Sequence, residues 1–301
     1  MNKKKNIKIH FTDFWPNFQL ESSIVHAILT KKYQLIIDGQ SPDYLVFSCF
    51  GNEHLKYRNC IKIFYSGENI SPDFNLCDYA IGYDRLQFGD RYFRLPVWAC
   101  YNKILYHKSL PDDATLLNRK FCNFVYSNNW CADPFRVRFF KRLSEYKQVD
   151  SGGKIENNMG GCVADKLDFI AGYKFTLAFE NSQVDGYTTE KLTDPMRVNS
   201  LPVYWGNPNV HLDFNQDSFI HVKDYSAMDE AIAEIMTLDN NDNAYLEKLR
   251  KPWFLNEDLK DGEEKIADFL DQVLIQNKKK AIRRTKYGFN SLYANARMVL
   301  C

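Results

Sequence analysis

Short β-rich runs alternate with longer stretches of helical periodicity along most of this chain, and no other feature constrains its fold as much. Ile7, Ile9 and Phe11 alternate with polar residues, as one face of a strand does. Residues 22–32 then read as a helix with Ile24, Ile28 and Leu29 on one side. Strand-like runs follow at 34–38, 44–50, 61–65 and 79–83. The pattern weakens between residues 100 and 120, around the turn-forming Pro111, Asp112 and Asp113, and resumes afterwards. Strands are expected at 121–126, 174–179, 201–205 and 219–222. Helices are expected at 134–146, 189–199, 227–238, 243–251 and 258–274, the first with Asp133 as its N-cap and Pro134 in its first turn. Such a series builds parallel sheets covered by helices on both faces. The expectation is an α/β chain of two doubly wound domains, 1–115 and 116–275, facing a cleft, with a basic tail over 276–301. Ligands bind such sheets beyond the carboxyl ends of the strands, so the loops that follow strands are where chemistry is sought.

Several function classes are excluded early. Hydrophobic residues make up 45% and charged residues 26%, enough for a packed core and too little polarity for a disordered chain. The net charge is +1, so no global field favours nucleic acid. Seven basic and no acidic side chains lie in 276–301, which leaves the rest at −6. No apolar run approaches the roughly 20 residues that span a bilayer, and the lysine-rich start alternates too regularly for a secretory signal. The eight cysteines form no CxxC pair and are expected as reduced, buried thiols in a cytoplasmic protein. GxGxxG, GxxxxGK[ST], HExxH and GxSxG are all missing. Gly152-Gly153-Lys154 is a fragment without the phosphate-loop spacing. An Asp-x-Asp pair is missing too, which argues against a metal-clamped nucleotide-sugar site.

Three places carry chemistry. Phe179-Glu180-Asn181-Ser182 and Tyr187-Thr188-Thr189-Glu190-Lys191 run from a strand end to a helix start, where free N–H groups and the helix dipole favour an anion. Lys191 is a cation at the positive end of a helix, and a nearby anion, such as a diphosphate, would explain it. The alternative is an ordinary solvated helix start. Arg136 opens a second helix and could grip the same phosphates bidentately, although Arg138, Lys141 and Arg142 on that helix suit a merely solvated face equally. Glu68, in Tyr65-Ser66-Gly67-Glu68-Asn69, follows a strand of the first domain and suits either a general base or a turn residue capping backbone amides.

At these segments the chain resembles the α-1,3/4-fucosyltransferases, glycosyltransferase family 10, in their short bacterial form. The resemblance is carried by Phe-Glu-Asn, Thr-Glu-Lys and Pro-Val-Tyr-Trp-Gly within 173–208, by Phe64-Tyr65-Ser66-Gly67-Glu68-Asn69 with 71–83, and by 124–136. It implies two Rossmann-like domains of the GT-B type, acceptor on the first and GDP-fucose on the second. It implies an inverting single displacement that forms α-1,3 or α-1,4 linkages to the N-acetylglucosamine of lactosamine-type, Lewis-type glycans. By position, Glu68 matches the general base, Arg136 and Lys191 the cations on the diphosphate, and Asn181, Tyr187 and Glu190 further donor contacts. No metal site or cofactor is implied for binding; a divalent metal would at most stimulate. The rivals are a GT-B transferase of another nucleotide sugar and a non-catalytic sugar-nucleotide-binding protein.

The tail has its own pattern. Phe289, Leu292, Tyr293, Ala296, Val299 and Leu300 form one helical stripe behind the basic run, where some family members carry heptad repeats. Peripheral contact with the inner face of a membrane is one expectation for it, docking on the protein body the other.

Overall fold

The computed structural model describes residues 4–100, 105, 108–128, 132–254 and 262–284. They group into two compact units, one bounded by Met1–Pro96 and Leu259–Cys301, the other by Val97–Asp258.

The first unit holds strand β1 (Lys5–Thr12), helix α1 (Ile24–Lys32), and strands β2 (Tyr33–Ile37), β3 (Tyr44–Phe47), β4 (Ile61–Tyr65), β5 (Tyr79–Gly82) and β6 (Tyr92–Arg94). They form one parallel sheet in the order β2-β1-β3-β4-β5-β6, with Ile9 opposite both Ile37 and Tyr44. The central β4 is buried along its whole length, Lys62 included, whose ammonium donates to the His54 carbonyl. β1 buries only Ile7 and Ile9 fully, as its alternation requires.

The second unit begins with α2 (Asp113–Leu117) and β7 (Lys120–Phe124). It continues with α3 (Phe135–Ser144), β8 (Val149–Ser151), α4 (Lys166–Ala171), β9 (Tyr173–Phe179), α5 (Glu190–Arg197), β10 (Leu201–Trp205), β11 (Ile220–His221), α6 (Met228–Asp239) and α7 (Asp242–Arg250). Its parallel sheet has the order β11-β10-β9-β7-β8, with β9 and β10 wholly buried. Each strand order reverses once, after the second strand of its unit.

The chain then returns to the first unit as α8 (Gly262–Ile275) and the single turn α9 (Lys278–Ala281). Ile266, Phe269, Leu270, Val273 and Leu274 of α8 are buried at helical spacing. Tyr33 donates to Asp271 (2.7 Å), Tyr44 to the Leu274 carbonyl (3.0 Å) and Tyr79 to Gln276 (2.8 Å).

The division therefore differs from the one expected at 115 and 275. The turn residues near 111–113 are a helix start, where the Asp112 side chain accepts the Thr115 N–H at 2.9 Å, and α8 packs on the first sheet instead of ending the second unit. The expected cap of α3 also moves: Pro134 is the N-cap, and Asp133 instead accepts the Phe135 N–H at 2.8 Å. The basic run is not a separate object over its described part. Arg283 pairs with Asp90 (2.7 Å), Lys278 with Asp43 (3.1 Å), and Arg284 with the fully buried Asp78. The apolar stripe at 289–300 lies outside the described residues. Among the described residues no helix is long and apolar enough to cross a membrane.

Candidate active site

In the second unit the strand order reverses between β7 and β9, and the loops leaving those two strands converge. This is the place where doubly wound sheets bind ligands. β9 delivers Glu180 and Asn181, and the chain beyond β7 delivers Tyr126. The Asp133 N–H donates to the Asn181 carbonyl (2.8 Å), so the entry to α3 is stitched to the loop after β9. Arg136, in the first turn of α3, is 1% exposed. Its Nε donates to the Glu180 carbonyl (2.8 Å), its Nη2 donates to Asn181 Oδ1, and its guanidinium lies 4.6 Å from the centre of the Tyr126 ring. Burial pushes the Tyr126 phenol up to about 12, so that face stays neutral. All three partners of Arg136 are uncharged. The Nε and Nη2 edge of its fork is taken by the protein, and Nη1 makes no hydrogen bond among the described residues.

Lys191 stands in the first turn of α5. Thr189 caps that helix, its Oγ1 accepting the Lys191 N–H at 3.3 Å. The Lys191 ammonium lies 3.5 Å from Glu180 and 3.3 Å from Glu190. Glu180 is fully buried and accepts the Thr189 N–H at 2.8 Å. Burial pulls the Lys191 pKa down, but the two carboxylates outweigh it and hold it above the usual lysine value. The anion that sequence demands beside this cation is therefore partly the protein's own. Glu190 itself is half exposed, and Lys191 draws its carboxyl below the ordinary range against the effect of burial.

The loop between Asn181 and Thr189 is held from below. Asn207 accepts the Gly186 N–H (3.0 Å) and donates to Thr188 Oγ1 (3.1 Å). Tyr204 donates to the Tyr187 carbonyl at 3.4 Å, and the Tyr187 side chain is 3% exposed, packed into the base of the site. Gly206 is required by close approach: a Cβ there would sit 2.4 Å from Glu180 Cγ.

Glu68 belongs to the first unit. It follows β4 in a turn where Ser66 Oγ accepts its N–H (3.0 Å) and its carbonyl accepts the Ile70 N–H (2.7 Å). The side chain is exposed at the carboxyl edge of the sheet. Ser66 Oγ also lies 3.3 Å from Cys49 Sγ, which links this turn to the one after β3. Among the described residues no group of three or more histidine, cysteine, aspartate or glutamate side chains is placed to hold a metal ion.

Residues 9–101 match the model of the alpha-(1,3)-fucosyltransferase FucT N-terminal domain, and residues 117–271 that of the glycosyltransferase family 10 (fucosyltransferase) C-terminal region. This chain belongs to glycosyltransferase family 10. It is 35% identical over 289 residues to alpha-(1,3)-fucosyltransferase FucT of Helicobacter pylori, with 81% of this chain and 59% of that protein covered. It therefore spans less than two thirds of that relative's length. Among solved structures it resembles an alpha1,3-fucosyltransferase crystallised with GDP and with GDP-fucose, each at TM-score 0.78 and 31% identity over 92% of this chain; the match covers 92% and 93% of those chains, respectively. The fold is thus that of the GT-B fucosyltransferases, with two parallel-sheet units.

In this family 10 chain, Arg136, Asn181, Glu190 and Lys191 come together at one strand-order reversal, with Tyr187 packed beneath, as their sequence positions suggested. Sequence reasoning gave no role to Glu180, Tyr126, Asn207 or Gly206. Glu180 lies in the same Phe-Glu-Asn run as Asn181, so it was visible as a residue. Its burial was not, because one position after a strand is equally often solvated.

Proposed function

We propose that this chain transfers L-fucose from GDP-β-L-fucose to the N-acetylglucosamine of a lactosamine-type glycan, with inversion at the anomeric carbon. One observation supports this reading most directly: a guanidinium, Arg136, is buried beside a second cation, Lys191, with only neutral partners of its own. A buried cation in this state is costly unless an anion completes it.

The chemistry follows from charge. As the bond to fucose breaks, the GDP leaving group gains negative charge. Arg136 and Lys191 are fixed in place before that charge develops, and each such donor is worth about 10²- to 10³-fold in rate. Two cations can do this work without a divalent metal, which the proposal treats as unnecessary for binding. Glu190, at the same helix start, is assigned to the sugar side of the donor, and Asn181 and Tyr187 are assigned to further donor contacts. The acceptor hydroxyl must lose a proton as it attacks, and Glu68 is assigned that role.

Calorimetry with GDP, GDP-fucose and UDP tests the donor half. GDP and GDP-fucose are expected to bind and UDP not. Tight UDP binding with no GDP binding would replace the donor with another nucleotide sugar. The catalytic half is tested by GDP release with N-acetyllactosamine and lacto-N-biose as acceptors. Binding without release on any acceptor would favour a sugar-nucleotide sensor. The Glu68→Gln variant is expected to keep donor affinity and lose about 10²- to 10⁴-fold in transfer.

A further inference from the structure

Glu180 is the most enclosed charged group at the donor end, and the reaction above gives it no step. Its side chain is 0% exposed. Oε1 accepts the Thr189 N–H at 2.8 Å, while Oε2 lies 2.8 Å from Thr189 Oγ1 and 3.5 Å from Lys191 Nζ. Its aliphatic stem is pressed so closely on Gly206 that no Cβ fits there. Its carbonyl accepts Arg136 Nε. One residue thus touches the cap of α5, the cation in the first turn of α5, and the cation of α3.

We infer that Glu180 is a positioning residue for the donor end: through Thr189 it fixes the first turn of α5, and through its charge it holds the Lys191 ammonium. The inference rests on the donor reading proposed above. The two roles separate chemically. A glutamine at this position still offers a carbonyl oxygen to the Thr189 N–H, but it carries no charge for Lys191.

The groups that face Lys191 come from four elements. Glu180 after β9 and Glu190 beside it in α5 favour its protonated form, burial and Arg136 of α3 oppose it, and the Tyr126 phenol beyond β7 is neutral through the range that matters. Removing the Glu180 charge leaves the half-exposed Glu190 as the remaining carboxylate in that set, so the Lys191 pKa falls. GDP is an anion that needs the ammonium, so its affinity declines once pH rises past the Lys191 pKa of the ligand-free protein. That decline therefore starts at a lower pH in Glu180→Gln than in the wild type. At neutral pH the variant loses no affinity through this route, since its lysine is still charged and one repelling carboxylate is gone.

The test is calorimetric titration with GDP from about pH 7 to about pH 10, with thermal melts to verify folding. The Glu180→Gln protein is expected to lose roughly tenfold more affinity across this range than the wild type, one decade per pH unit above the shifted pKa. Ionisation of the guanine is common to both proteins and cancels in the comparison. Adding Lys191→Arg to Glu180→Gln is expected to abolish the extra loss, because arginine keeps its charge throughout. Glu180→Asp keeps a charge but withdraws it by one methylene, and is expected to fall between the two; it decides the matter if Glu180→Gln does not fold. Profiles of the variants that superimpose on the wild type, or an alkaline loss that persists in the double variant carrying Lys191→Arg, would overturn the inference. If the wild type itself binds no GDP at neutral pH, the donor reading fails instead.

Discussion

Arg136 shows how a single side chain can be legible in type and hidden in role. Along α3 it has charged neighbours, Arg138, Lys141 and Arg142, so composition alone suits a solvated face. Yet Phe139, Phe140 and Leu143 follow it at i+3, i+4 and i+7 and are all buried, so Arg136 occupies a position on the apolar stripe. A cation on the buried side of a helix is the signal that sequence did contain. Replacing it by alanine, or Lys191 by alanine, is expected to weaken GDP binding by at least tenfold and to lower kcat by about 10²- to 10³-fold. Arg136→Lys is the sharper variant. It keeps the charge but loses the planar fork that reaches Glu180 O and Asn181 Oδ1 and stacks on Tyr126, so calorimetry is expected to show a loss close to that of Arg136→Ala. Affinities left intact in Arg136→Ala and Lys191→Ala would remove both from the diphosphate. Gly206 supplies a structural counterpart. Gly206→Ala forces a methyl within 2.4 Å of Glu180 Cγ, at a cost of about 1–3 kcal/mol, and a denaturant midpoint equal to that of the wild type would refute the close packing drawn here.

At the scale of elements, hydrophobic periodicity located what is long and buried. Leu201–Trp205 coincides with β10 because a strand buried on both faces reads as a continuous apolar run, and Ile61–Tyr65 coincides with β4 although Lys62 interrupts its run, the lysine being buried with its ammonium on the His54 carbonyl. The three-residue strands β6 and β8 lie at sheet edges and give no comparable run, and α2 and α4 are too short for a period to emerge. Partners distant along the chain are the other loss. Asp78 is fully buried just ahead of β5, where it accepts the N–H groups of Lys62, Arg283 and Arg284 and pairs with the Arg284 guanidinium. Roughly 200 residues separate the two charges, so the basic run reads as a free tail although part of it is an anchor. Breaking a buried pair by removing one partner is costly because the other stays charged out of water. Asp78→Ala is therefore expected to destabilise the first unit by about 3–5 kcal/mol in urea unfolding, far more than the exposed Arg250–Asp113 pair would cost on loss. Equal effects from the two substitutions would show that the Asp78 contacts are incidental.

The two sheets share one strand order over the first five strands of each unit, and the alternation of strand and helix in both made the double α/β architecture readable from sequence. How the chain distributes itself between the units was not readable, because α8 carries the same amphipathic period whichever sheet it covers. Its destination is set by particular acceptors and donors on the first sheet: Tyr33 for Asp271, Tyr44 for the Leu274 carbonyl, and the rings of Tyr79 and Phe93 for Phe269. The first unit is consequently built from two separate stretches of chain, whereas the second is continuous. This asymmetry has a direct consequence for dissection. A protein of residues 97–258 contains the whole second sheet, its helices and every residue assigned to GDP, so it is expected to unfold cooperatively and to bind GDP within about tenfold of the full chain. A protein of residues 1–96 lacks α8 and leaves Tyr33, Tyr44, Tyr79 and Phe93 facing water. It is expected to remain unfolded until a second chain carrying 259–284 is supplied, when circular dichroism and proteolysis should report recovery. A 1–96 fragment that folds as cooperatively alone as with that chain would mean that α8 rests on a sheet already complete without it.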